Sequence, residues 1–223
     1  MFKGFSKETS EFLWELAFNN ERPWFNAHKQ EFETYLNQPL RALAADTYAL
    51  MSERLPGTDF RVHVSRIYRD ARRLFGRGPY KEAMWFTIIP DRTSDDPDYD
   101  GPAFWFEIRA ASFSYGMGYW GYPQEMERFR KTVDANPAAF ERLAEEMAAL
   151  PGLKLEGEDY KRPKAERTGR TADWYNKKHF SLSRHGDFGG DLLSPELPKI
   201  LADAFGSMMP MFLFLSHISS RES

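Results

Sequence analysis

The chain is predicted to adopt an α+β fold, a mostly antiparallel sheet with N-terminal and C-terminal helices packed against it, because its hydrophobic period changes twice. Apolar residues recur at helical spacing as far as Met51, alternate with polar ones between Phe60 and Tyr119, and return to helical spacing after Gln124. The links between the alternating runs are too short for parallel crossovers, which need a dozen or more residues. Residues 91–102 form a longer link but are too rich in Asp and Pro to make a crossover helix. No repeat, low-complexity tract or flexible linker divides the chain, so residues 1–223 are read as a single domain. At this length folding buries roughly 70–75% of the unfolded surface, enough for a core without staples.

Ser6 is suited to cap a first helix, in which Glu8, Glu11 and Glu15 share a wet stripe and Phe12, Leu13 and Leu16 the opposite side. Asn19 and Asn20 end it. After Pro23, the run WFNAHKQEFETYLNQ predicts a second helix closed before Pro39. Leu40, Leu43, Thr47, Leu50 and Met51 predict a third, stopped by Pro56 and Gly57. Phe60, Val62 and Val64 then alternate with Arg61, His63 and Ser65, the period of a half-buried strand. Asp70 to Pro79 is expected to be a loop, and strands are expected at Ala83 to Ile89, Ala103 to Ala110 and Phe113 to Tyr119, giving a sheet of about four or more strands. Two helices follow at Gln124 to Asp134 and Pro137 to Leu150. Leu153 to His185 reads as polar and irregular. Ser194-Pro195 opens a last apolar helix, bent or broken at Pro210.

With no cysteine, the chain has no disulfide framework, thiol catalysis or thiolate metal site, which fits a reducing compartment. Its five histidines lie too far apart in sequence for a helical two-histidine ligand pair, and neither a metal nor a cofactor is predicted. The start MFKGFSKETSEF lacks a secretory layout, so a cytoplasmic protein is expected. Ile200 to Ile218 is apolar, but Asp203, Pro210 and His217 interrupt it, which favours a buried helix over a membrane span. Eight aromatics between Phe104 and Tyr122 are read as sheet core, and the net charge of −3 argues against a nucleic-acid partner. Asp96, Asp98, Asp100, Gly101 and Glu107 match a calcium-loop spacing, but strand-like flanks and two prolines favour a solvated acidic hairpin loop. His185, Gly186 and Asp187 offer a general base and its orienter at a spacing common in loops.

From Arg61 to Lys81 the chain reads RVHVSRIYRDARRLFGRGPYK, with seven Lys or Arg residues against one acid, so this segment carries the densest chemistry. A site is expected around Arg66, Arg69, Asp70, Arg72, Tyr80 and Lys81, with Lys161 and Arg162 of a second basic cluster joining it. Arginine forks and a lysine point charge suit phosphate or carboxylate, and Gly76 and Gly78 allow close backbone approach. The expected function is binding of an anionic small molecule in a cleft lined by this loop. One alternative is a hydrolase acting on an acidic or phosphorylated substrate, with Asp70 or His185 as base. Another is a structural or protein-interaction protein, favoured if Arg66, Arg69 and Arg72 are all consumed by internal salt bridges.

Over most of its length the chain resembles the family called domain of unknown function 2461. The resemblance rests on FLWELAFNNERPWFNAHK, RIYRD followed by Arg72 and PYK, FWFEI, YGMGYWGYP, KRPK at 161–164, and WYNKKHF, in matching order and spacing. It implies no reaction. Between Arg72 and Pro79 the family tends to carry Phe, Ser, an acid and Lys, where this chain has Arg73, Leu74, Gly76 and Arg77. Chemistry that needed that acid has no carrier at Gly76.

Overall fold

The computed structural model describes residues 1–54, 59–74, 76–91, 101–121 and 123–219. It has the α+β architecture that the period changes predict, with a six-stranded sheet in the order β1-β2-β3-β4-β6-β5. These strands are β1 (Phe60–Val64), β2 (Ala83–Pro90), β3 (Ala103–Arg109), β4 (Ser112–Tyr119), β5 (Lys154–Glu156) and β6 (Phe180–Asp187). At one edge β1 runs antiparallel to β2, with Phe60 opposite Pro90 and Val64 opposite Phe86. At the other, β5 runs antiparallel to β6, with Leu155 opposite Leu182.

The chain condenses into two compact units, each drawn from three stretches: Met1–Pro90, Trp105–Tyr115 and His185–Asp203 in the first, and Asp91–Phe104, Gly116–Arg184 and Ala204–Ser223 in the second. In the first unit, α1 (Lys7–Phe18) starts as expected. The Ser6 amide donates to Thr9 Oγ1 at 3.2 Å, and that hydroxyl donates to the Tyr35 carbonyl at 2.6 Å. Phe12, Leu13 and Leu16 are buried.

The predicted second helix breaks at His28 and does not close at Pro39. It becomes α2 (Arg22–Ala27), a turn α3 (Lys29–Glu31) and a π-helical turn, Phe32–Asn37, which feeds directly into α4 (Gln38–Arg54). The wide turn explains how Pro39 is tolerated. The Gln38 amide donates five residues back to the Glu33 carbonyl, so the ladder is already out of α register where the proline, which has no N–H, enters. The predicted helix stop at Pro56 and Gly57 lies outside the described residues.

In the second unit, α5 (Pro123–Ala135) and α6 (Pro137–Ala148) follow the prediction. Phe129 meets Phe140 edge-on at 5.3 Å, and Phe140 meets Trp174 edge-on at 5.8 Å. The stretch read as irregular contains β5, α7 (Gly169–Tyr175) and β6. Both longer elements are held by partners distant in sequence. Glu141 on α6 accepts from the amides of Arg170 and Thr171 and from the Thr171 hydroxyl, which caps α7 and holds the Glu141 carboxyl below its ordinary range. Buried Arg130 donates to the carbonyls of Tyr175 and Lys177, each at 2.9 Å, and so fixes the turn from α7 towards β6.

The last helix, α8 (Leu197–Ser219), continues through Pro210, so it is not broken there. By length and composition it could cross a membrane, but half of its apolar window is buried inside the protein, as in a core helix. Within the second unit its Phe212 stacks on Phe104 at 4.5 Å. Most aromatics of the central strands are buried too, including Phe104, Phe106, Phe113, Tyr115 and Tyr119, while Trp120 is half exposed and Tyr122 lies outside the described residues.

Gly116 on β4 marks the tightest backbone approach in the second unit: a Cβ there would sit 1.8 Å from the Leu182 carbonyl oxygen on β6. Gly116→Ala must push the two strands apart and is expected to cost about 2–3 kcal/mol. Chemical denaturation followed by circular dichroism should show this as a lowered midpoint, and an unchanged midpoint would contradict the packing.

Candidate functional site

The first unit contains a cavity of about 360 Å³ at the foot of the basic loop. Its wall follows from strand alternation. Along β2, Met84, Phe86 and Ile88 are fully buried while Trp85 and Thr87 face the other way, half exposed. On β3, Phe106 and Ile108 are buried while Glu107 and Arg109 share the opposite face. Trp85, Glu107 and Arg109 therefore form part of the cavity wall, which Lys81, Glu82 and Ala83 continue, and the basic loop closes it with Arg69, Asp70 and Arg77.

The loop is fixed in place from several directions. A Tyr68–Tyr80 bridge closes its base, reinforced by the Arg69 amide on the Pro79 carbonyl and the Lys81 amide on the Ile67 carbonyl, each at 2.8 Å. Asn20, just past α1, then grips Tyr80 at two points. Its carboxamide nitrogen donates to the Tyr80 carbonyl at 3.0 Å, and its oxygen accepts the Tyr80 amide at 2.9 Å. Gly78 leaves the room for this, since a Cβ there would lie 2.2 Å from the Asn20 side-chain oxygen. Arg69 Nε adds a second donor to the Tyr80 carbonyl at 2.7 Å.

Most charges in the cavity are compensated. Arg69 pairs with Glu82 at 3.1 Å and Arg109 with Glu107 at 2.7 Å. The Lys81 ammonium donates to the Arg66 carbonyl and lies 4.3 Å above the Trp85 ring, with no carboxylate partner among the described residues. Burial pushes the Lys81 pKa down, and the neighbouring Arg66 and Arg69 guanidiniums push it further in the same direction.

Of the residues expected from the sequence, Arg69, Asp70 and Lys81 line this cavity. Arg66, exposed, contributes its carbonyl to Lys81, and its guanidinium makes no ion pair among the described residues. Arg72 is turned outward onto Asp70, with Nε at 3.1 Å and Nη2 at 2.8 Å from its two oxygens, and that pairing raises the Arg72 pKa. Asp70 also accepts the Arg72 amide at 3.0 Å, which starts the short 3₁₀ turn Ala71–Arg73. Tyr80 is buried, its ring stacked on Phe25 at 4.1 Å, and burial raises its phenol pKa. Lys161 and Arg162 are exposed in the second unit, between β5 and α7. His185 and Asp187 are exposed on β6.

The site expected from the sequence does not include Arg77, Glu82, Trp85 or Arg109, and Glu107 enters the sequence reading only as a calcium-loop residue. Asp96, Asp98 and Asp100 of that motif lie outside the described residues, while Glu107 sits in β3 and pairs with Arg109. The signal for these wall residues was the alternation in AMWFTII and AFWFEIR, which puts Trp85, Glu107 and Arg109 opposite the core positions. In the second unit a cavity of about 470 Å³ is lined in part by Asp159, Tyr160, Asn176 and Lys177. There the Lys177 ammonium is compensated by Asp159 and the Gly157 carbonyl, each at 3.1 Å.

A family model described as Conserved hypothetical protein (DUF2461) matches residues 8–214. No curated protein matches the chain.

Asn20→Ala removes both contacts to the Tyr80 backbone and is expected to cost about 2 kcal/mol. Hydrogen exchange should then show faster exchange of the Lys81 and Arg69 amides than in the parent protein. Unchanged protection there would mean that the loop does not depend on Asn20.

Proposed function

This chain belongs to the DUF2461 family, whose description names no reaction, and from that premise and the geometry of the first unit we propose that it binds a small phosphate- or carboxylate-bearing ligand at Lys81. The supporting observation is the ammonium itself, half-buried in a concave wall beside two guanidiniums and without a carboxylate partner among the described residues. An anion there would relieve the repulsion that depresses the Lys81 pKa and would gain a charge-assisted hydrogen bond. Arg66, also without an ion pair among the described residues, adds positive potential from the loop side. The interaction-protein reading is favoured if all three loop arginines are consumed by internal salt bridges, and Arg66 makes none among the described residues. A hydrolytic reading would use Asp70 or His185 as base; both Asp70 oxygens already accept from Arg72, and His185, exposed on β6, is not among the residues lining the cavity.

The pH dependence follows from the sign of the shift. The bound anion needs charged Lys81, so affinity is full below the depressed pKa and is lost as pH rises through it, earlier than for an ordinary lysine near 10.5. In the absence of ligand the unfolded chain binds more protons across that window, so folded stability rises with pH there. Titration calorimetry with inorganic phosphate and with a small dicarboxylate should find saturable binding by one of them. Lys81→Gln should weaken it by about tenfold or more and remove the alkaline fall. Equal affinity in the variant, or no binding of either anion, would refute the reading.

A further inference from the structure

A second cluster in the first unit is independent of that cavity. Glu15 near the end of α1, His28 at the end of α2 and Glu31 in α3 each place one potential ligand atom within 4.8 Å of the other two. These are residues of a mixed imidazole and carboxylate set, brought together from separate helical segments. Neither carboxylate makes an ion pair or a side-chain hydrogen bond among the described residues, so two negative charges converge without protein compensation.

The histidine is held by groups outside the cluster. Its Nδ1 lies 2.8 Å from the Trp24 carbonyl oxygen, an acceptor that has no hydrogen to give, so Nδ1 carries the hydrogen of this bond and Nε2 is the nitrogen left for another partner. The ring also stacks on Trp24 with centroids 4.1 Å apart and planes 14° apart, and Trp24 packs against Phe12 of α1 at 5.8 Å. A ring nitrogen bonded to a backbone carbonyl, with the other left to coordinate, is how metal-binding histidines are usually oriented.

We propose that Glu15, His28 and Glu31 bind a divalent first-row transition ion of the Zn²⁺ type. One imidazole nitrogen and two carboxylate oxygens suit such an ion, and three protein ligands leave a coordination position open to solvent. Bond lengths of about 2.0–2.2 Å require the ligand atoms to draw closer together. Glu15 is exposed and Glu31 only half-buried, so rotation of their side chains can supply that movement. Occupancy would cross-link α1 to the α2–α3 segment on either side of Asn20, without using any residue of the Lys81 cavity.

The test uses the full chain after treatment with a chelator, titrated calorimetrically with ZnCl₂ at neutral pH. One ion per chain is expected to bind, with a dissociation constant of about micromolar or below. Glu15→Gln and Glu31→Gln, which leave the Trp24 stack untouched, should each weaken binding by about tenfold or more. His28→Gln should do the same. Absence of saturable one-to-one binding would overturn the site. So would a loss of less than tenfold in both glutamate variants with circular dichroism unchanged, because the ion would then be bound elsewhere.

Discussion

The two-point grip of Asn20 on the Tyr80 backbone is the constraint on which the candidate site depends. It couples the end of α1 to a loop far along the chain, and it works because Gly78 has no side chain to hold the amide away. With Tyr80 fixed, Lys81 emerges at a defined height above Trp85, and Arg69 is anchored by the same carbonyl that Asn20 uses. Stacking of Tyr80 on Phe25 adds an apolar contact to this polar one. A loop with so many bases would repel itself if it were held only by its own residues. Backbone contacts from outside allow the charges to stay close together.

Much of this was legible locally. The strands from Phe60 to Tyr119 declared themselves by a period of two, and their faces divide as that period requires, with Phe86 and Phe106 stacked in the core and Trp85 and Arg109 on the cavity side. The basic loop was visible from charge density, and it does contribute Arg69, Asp70 and Lys81 to one cavity. What sequence could not give was the pairing of those charges. Arg72 looked equivalent to Arg69, yet one turns outward onto Asp70 while the other bonds inward to Tyr80. That difference depends on which carboxylate or carbonyl lies in reach after folding.

The missed elements share a cause. α7 begins where a glutamate from α6 caps it, and its end is held by an arginine from α5; its N-cap Thr168 makes no side-chain cap bond of its own, so the partners that hold it lie far away in sequence. β6 reads as polar in part because a serine occupies a position that burial would assign to an apolar residue: Ser183 is fully buried, its hydroxyl 3.0 Å from that of half-buried Ser181. The break at His28 and the π turn before Pro39 are the opposite case, a strong helical pattern interrupted by geometry. A proline that would normally end a helix is absorbed once the preceding turn has widened.

The charge arrangement also bears on what kind of anion would fit. Two arginine forks of the cavity wall are already engaged, Arg69 with Tyr80 and Glu82, and Arg109 with Glu107. Lys81 acts as a point charge with rotatable donors, which attracts either class without selecting by shape. Discrimination would then depend on whether a ligand can displace Glu82 or Glu107 from its arginine. A dianion has the charge to compete for those guanidiniums after meeting Lys81, while a monoanion would be held mainly by the lysine. If the site takes an anion, the two glutamates would set a threshold of ligand charge and the lysine would supply the first contact.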